Sequence, residues 1–101
     1  MRVVLCNCPP EHAPIIARAL VEERLAACVN VVPGVLSFYV WEGKTCEEAE
    51  ATLVIKTSDE RWDDLHNRIV ELHPYSVPEI IAIDVAAASP AYLKWVEENS
   101  R

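Results

Sequence analysis

Only 2 glycines occur in the 101 residues, and no stretch is low in complexity, so the chain has little material for flexible linkers. Basic residues are few: 9 Lys and Arg against 16 Asp and Glu, a formal net charge of −7. No basic stripe is available to a phosphate backbone or an anionic bilayer, which argues against nucleic acid and membrane as partners. No apolar run approaches the roughly 20 residues of a membrane span. The opening Met1-Arg2-Val3-Val4-Leu5-Cys6 lacks the basic segment, apolar stretch and cleavage site of a secretory signal. The expected compartment is therefore the cytoplasm, where Cys6, Cys8, Cys28 and Cys46 are expected to be reduced. None of them forms a Cys-x-x-Cys pair. There is also no Gly-rich phosphate loop, no Gly-x-Ser-x-Gly motif and too little Arg to cradle an acyl phosphate, so an enzyme is not expected.

What is present is apolar. Hydrophobic residues make up 51% of the chain, enough for one modest core and a single domain over residues 1–101. Arg2 to Cys8 alternates as a first strand. Pro9-Pro10 ends it. Glu11 to Glu23 reads as a helix with Ile15, Ile16, Ala19 and Leu20 as its apolar stripe, Pro14 falling in the first turn. Ala26 to Trp41 is a long β-like run interrupted by Pro33-Gly34, which predicts a bulge because β character resumes at once. Glu42-Gly43-Lys44 signals a turn, and Glu50 to Thr57 is the returning strand. Ser58 or Asp59 caps a helix from Glu60 to Leu72, with Trp62, Leu65, Ile69 and Leu72 on the buried face. Ile80 to Ala86 is a fourth strand. Ser89-Pro90 opens a tail helix with Tyr92, Trp95 and Val96 on one face.

The densest cluster of polar chemistry is His73-Pro74-Tyr75-Ser76-Val77-Pro78-Glu79. Its two prolines exclude helix and central strand, and they press His73 and Val77 into extended geometry. A stiff connector that groups an imidazole, a phenol, a hydroxyl and a carboxylate is suited to building a site.

The order β-α-β-β-α-β with a tail helix is the split βαβ pattern, so the predicted class is α+β, a ferredoxin-like antiparallel sheet. The first strand is expected to pair with the third and the fourth with the second. Two helices then cover one face. The other face, expected to draw on Val4, Cys6, Val29, Val31, Val54 and Val85, stays apolar and open. A protruding hairpin from about Val31 to Val54 is marginal on its own. Both features predict an oligomer.

Five segments carry a resemblance to a known family: Ala19 to Gly34, Tyr39-Val40-Trp41-Glu42-Gly43-Lys44, Ile55-Lys56-Thr57, His73 to Ile81, and Tyr92-Leu93-Lys94-Trp95. In order and over nearly the whole chain, they resemble the CutA divalent-cation-tolerance proteins. The resemblance implies a homotrimer built through the long hairpin and sheet edges and similar in architecture to the PII signalling proteins. It also implies tolerance to copper and other divalent cations, with copper or another divalent metal as the bound ion. The implied metal ligands fall on Cys6, His73 and Glu79. Leu72 stands where some members carry the first of two adjacent histidines, which removes one candidate ligand. Cys8, two residues from Cys6, shares its strand face, and a thiolate pair with an imidazole suits copper(I) or zinc.

Lys56, Tyr75 and Glu79 are candidates for lining a cleft between subunits, and Glu47, Glu48 and Glu50 read as a solvated hairpin end. Two functions stand side by side. One is a metal-binding tolerance protein. The other is a PII-like scaffold whose intersubunit clefts take a small molecule or a partner protein.

Overall fold

The computed structural model describes residues 1–101. Alternation in the first strand, β1 (Arg2–Cys8), sends Val4, Cys6 and Cys8 into full burial. A 3-10 turn at Pro10–His12 leads into α1 (Ala13–Glu22). Its buried stripe is Ala13, Ile16 and Leu20. Ile15 was expected in that stripe but is 61% exposed. Spacing of three and four starting at Ala13 turns it off the sheet. Arg24 leaves the helix in the left-handed region at φ 58°. Its guanidinium donates to the carbonyls of Glu98 and Arg101, which ties the strained turn to the C-terminal end of the chain.

β2 (Cys28–Trp41) and β3 (Lys44–Thr57) form one long antiparallel hairpin in which Trp41 pairs with Lys44. Glu42 and Gly43, at φ 49° and 78°, make the two-residue loop. Positive φ at both positions is the signature of a type I′ turn, whose twist matches the strands. The register slips between Val32 and Val35, so Pro33-Gly34 is the expected bulge, with Gly34 at φ 72°. β3 begins at Lys44, six residues before the expected Glu50. The charged run Glu47-Glu48 is drawn into the ladder by its partners Phe38 and Ser37, which no local propensity announces.

A second 3-10 turn, Asp59–Arg61, leads into α2 (Trp62–Leu72). Ser58 does not cap it by side chain; its hydroxyl donates to the Ser100 carbonyl instead. β4 is short, Ile81–Asp84, and α3 spans Pro90–Asn99. Only Val96 of α3 is buried. Tyr92 and Trp95 stack on each other with ring centroids 5.7 Å apart and stay half exposed.

The sheet order is β2-β3-β1-β4, all neighbours antiparallel. The first strand does pair with the third. The fourth pairs with the first, with Leu5 opposite Ile81, and not with the second as expected. β1 is therefore central, which suits a strand apolar on both faces.

The open face also differs from expectation. Val4 pairs with Ile55 and Cys6 with Leu53, and directly paired residues share a face. These four are fully buried in one core cluster with Ile16, Leu20, Leu65 and Ile69 of the helices. Val29 and Val31 pair with Ile55 and Leu53 and so share that side. Of the expected set only Val54, opposite Leu5, lies on the uncovered face. Its other apolar members are Val3, Ile81 and Ile83, the last two 48% and 47% exposed. Val85 lies beyond the end of β4. No helix is long and apolar enough to cross a membrane.

Candidate functional site

α2 stops where the sequence requires. Pro74 forces extended geometry on His73, whose φ and ψ are −79° and 136°. The imidazole, 7% exposed, then turns back on β1. Past the point where β4 stops pairing with β1, its Nε2 lies 2.8 Å from the Asn7 carbonyl oxygen. The Tyr75 amide donates to Nδ1 at 3.2 Å. An amide can only donate and a carbonyl can only accept, so the ring is held with its proton on Nε2. Both ring nitrogens are thereby engaged.

Tyr75 packs its ring against His73 with centroids 4.8 Å apart. Its hydroxyl donates to Glu50 Oε2 at 3.0 Å. Burial, and next this bond to Glu50, push the phenol pKa upward, so Tyr75 stays protonated. Glu50, expected to be solvated, is 5% exposed. It shares the parity of Thr52 and Val54 on β3, and the loop brings Tyr75 across to meet it.

Cys6 and Cys8 point the other way, into the helix-covered core. Burial pushes the Cys6 thiol up to about 12, helped by Cys8 and the carboxylates of Glu79 and Glu50. Burial also pushes Cys8 up to about 11, with Glu50 and Glu11 adding. Both are protonated thiols at neutral pH, whereas a metal takes the thiolate. Leu5 pairs with Ile81, so the segment that carries Glu79 into β4 runs beside the end of β1 that carries Cys6. Within the chain, no three His, Cys, Asp or Glu side chains converge as a metal-holding group. As folded, the trio of Cys6, His73 and Glu79 is not an open ligand set: the imidazole is used twice and the thiol holds its proton.

On the uncovered sheet face a cleft of about 650 Å³ opens between the hairpin and the proline loop. Phe38, Tyr39 and Trp41 of β2, Glu50 of β3, and Tyr75 and Glu79 of the loop supply its chemistry. Asn7 lies at its floor, with its side-chain oxygen accepting from the Thr52 hydroxyl at 2.6 Å. Tyr75 and Glu79, expected to line a cleft between subunits, line this cleft within the chain. Lys56 does not line it: it lies six residues along β3 from Glu50, about 20 Å at strand rise, and its ammonium donates to Asn30 and to the Val54 carbonyl. Sequence reasoning missed Glu50, Asn7 and the hairpin aromatics as one group. The period-2 pattern of β3 placed Glu50 on the open face, but only the fold brings Tyr75 to it.

The arrangement is an α+β ferredoxin-like fold with a cleft on the uncovered face. The family described as CutA1 divalent ion tolerance protein matches residues 2–99. The divalent-cation tolerance protein CutA of Thermus thermophilus is 50% identical over 99 residues, covering 97% of this chain and 96% of that protein. The mouse protein CutA is 46% identical over 93 residues. This chain covers 91% of its own length there and 52% of the mouse protein. Among solved structures, the T. thermophilus divalent cation tolerance protein superposes with a TM-score of 0.96 at 48% identity, covering all of both chains. The PII-like protein CutA of Nostoc sp. PCC 7120, in apo form, does so with 0.96 at 46%, covering 100% of this chain and 98% of that one. The chain belongs to the CutA1 divalent ion tolerance family, and its fold is shared with a PII-like protein.

Proposed function

We propose that this chain is the subunit of a cytoplasmic, non-catalytic, PII-like homotrimer acting in divalent cation tolerance, and that the cleft beside the proline loop is its working site. The cleft itself carries this reading. It is roomy, walled by aromatic side chains and furnished with a few fixed polar groups, the composition of small-ligand sites in general. The trimer rests on the apolar sheet face and the extended hairpin, which another copy would cover. Light scattering should give three times the 11.3 kDa subunit mass; a monomer at micromolar concentration would refute assembly.

A second reading is direct binding of copper or another divalent ion at Cys6, His73 and Glu79. It is favoured by the pairing of Leu5 with Ile81, which sets the segment of Glu79 beside the Cys6 end of β1. Binding there requires breaking the hydrogen bonds of His73 and removing a proton from Cys6. Copper and zinc titrations of the parent, Cys6→Ser and His73→Ala proteins separate the two. Unchanged affinity in both variants supports the cleft; loss in both supports the trio.

A further inference from the structure

α1 stops in a turn that usually belongs to glycine. The Arg24 amide donates to the Val21 carbonyl at 3.1 Å and the Leu25 amide to the Leu20 carbonyl at 3.0 Å, the crossed pair of bonds that closes many helices. Leu20 and Leu25 are both buried in the core cluster and supply the apolar contact that accompanies such a stop. The residue between them in the left-handed region is most often glycine, which has no Cβ to clash. Here it is Arg24, at φ 58°, and its Cβ makes that conformation strained.

The Arg24 side chain offsets the strain at a distance. Its Nε donates to the Arg101 carbonyl at 3.0 Å and its Nη2 to the Glu98 carbonyl at 2.6 Å. A helix leaves its last carbonyls without intrahelical donors and carries partial negative charge there, so a guanidinium at the end of α3 answers both needs. Two serines complete the fastening. The Ser58 amide donates to Ser100 Oγ at 3.1 Å, the Ser58 hydroxyl to the Ser100 carbonyl at 2.8 Å, and the Ser100 hydroxyl to the Val96 carbonyl at 2.5 Å. α3 nevertheless adds no member to the main core. Val96, its one buried apolar side chain, stands outside the cluster of 13 residues that joins the sheet to α1 and α2.

We propose that α3 is a strap that opens as a unit while the four strands stay folded, and that Arg24 is its latch. Segments that open below global unfolding are those with few apolar ties to the core, and α3 is fastened by polar bonds to its last carbonyls. The same arrangement explains the residue at position 24. Glycine would suit the turn better and would leave α3 unlatched.

Native-state hydrogen exchange on the intact assembled protein tests this, read amide by amide by NMR at neutral pH over a series of low urea concentrations. In the parent, the amides of residues 94–99 should exchange faster than those of Val4, Leu53 and Ile55. Their urea dependence should also be weaker, because opening a strap exposes little surface. Arg24→Gly relaxes the turn but removes both guanidinium bonds. It should speed the α3 amides at least about tenfold, the size of a lost charged hydrogen bond. Arg24→Lys keeps the charge without the fork and should fall between. Ser100→Ala frees the same last turn with Arg24 in place, and serves if Arg24→Gly fails to fold. Ile55→Val loosens the sheet alone, so it should speed the strand amides and leave those of α3 unmoved. If the α3 amides share the rate and urea slope of the strands, α3 opens only with the whole fold and the strap is overturned. α3 rates unchanged in both Arg24→Gly and Ser100→Ala overturn the latch.

Discussion

Replacing His73 with alanine should destabilise the metal-free protein by about 2–4 kcal/mol. The imidazole makes two bonds, to the Asn7 carbonyl at 2.8 Å and from the Tyr75 amide at 3.2 Å. Each is worth about 0.5–1.5 kcal/mol net, and a buried acceptor left without its donor adds about 1–3 kcal/mol. Asn7 lies in the central strand beyond the end of β4, so no neighbouring strand stands ready to replace the lost donor. The ring is 7% exposed, and its removal also leaves a void under Tyr75. The measurement is urea unfolding in chelator, at one fixed protein concentration because assembly feeds into apparent stability. The midpoint should fall with the slope unchanged. His73→Gln keeps one donor and should recover about half of the loss. A ring free to serve as an open ligand would behave differently: the alanine variant would stay within about 0.5 kcal/mol of the parent, as surface substitutions do. That result would refute the structural role assigned to His73.

The thiols set a pH limit. Their folded values, about 12 for Cys6 and about 11 for Cys8, lie above the ordinary value of 9.0. Their contribution is therefore complete below pH 9 and is lost as pH rises through 11 to 12, at up to about 1.4 kcal/mol per pH unit for each thiol. Unfolding followed from pH 8 to 11 should show this fall, and a shallower one in Cys6→Ala; identical slopes would count against it. Leu53→Ala should cost about 3–5 kcal/mol in chemical denaturation, because Leu53 is fully buried between sheet and helices. Gly43→Val should cost about 1–2 kcal/mol, read by thermal melting, because a branched side chain is forced to φ 78°. Nothing within 4 Å of an added Cβ would compensate or worsen that cost.

The element order was legible from the chain alone, because local chemistry fixes it. Pro9-Pro10, Pro33-Gly34, Glu42-Gly43 and Ser89-Pro90 act on their own backbone dihedrals, so each break or bulge appeared where expected. Alternation in β1 and the spacing of Leu65 and Ile69 were equally local. The proline loop announced itself as the place of polar chemistry for the same reason. The resemblance in five ordered segments gave the family, which the comparison over residues 2–99 bears out.

Long-range pairing was not legible. A period of two says which residues share a face of their own strand, not which face the helices cover. Val4 and Cys6 were therefore expected on the open side and proved to be core. Strand order depends on connections over the whole sheet, so the partner of β4 was misassigned. The charged half of β3 became strand only through its partners on β2. The hydrogen bonds that decide the chemistry join residues distant in sequence: His73 to Asn7, and Tyr75 to Glu50. The sequence by itself determined the parts, because caps, prolines and alternation act within a few residues. Only the tertiary structure decided which carboxylate was buried, which imidazole was occupied and where the cleft opened, because burial and hydrogen-bond partners belong to contacts that exist only once the sheet has formed.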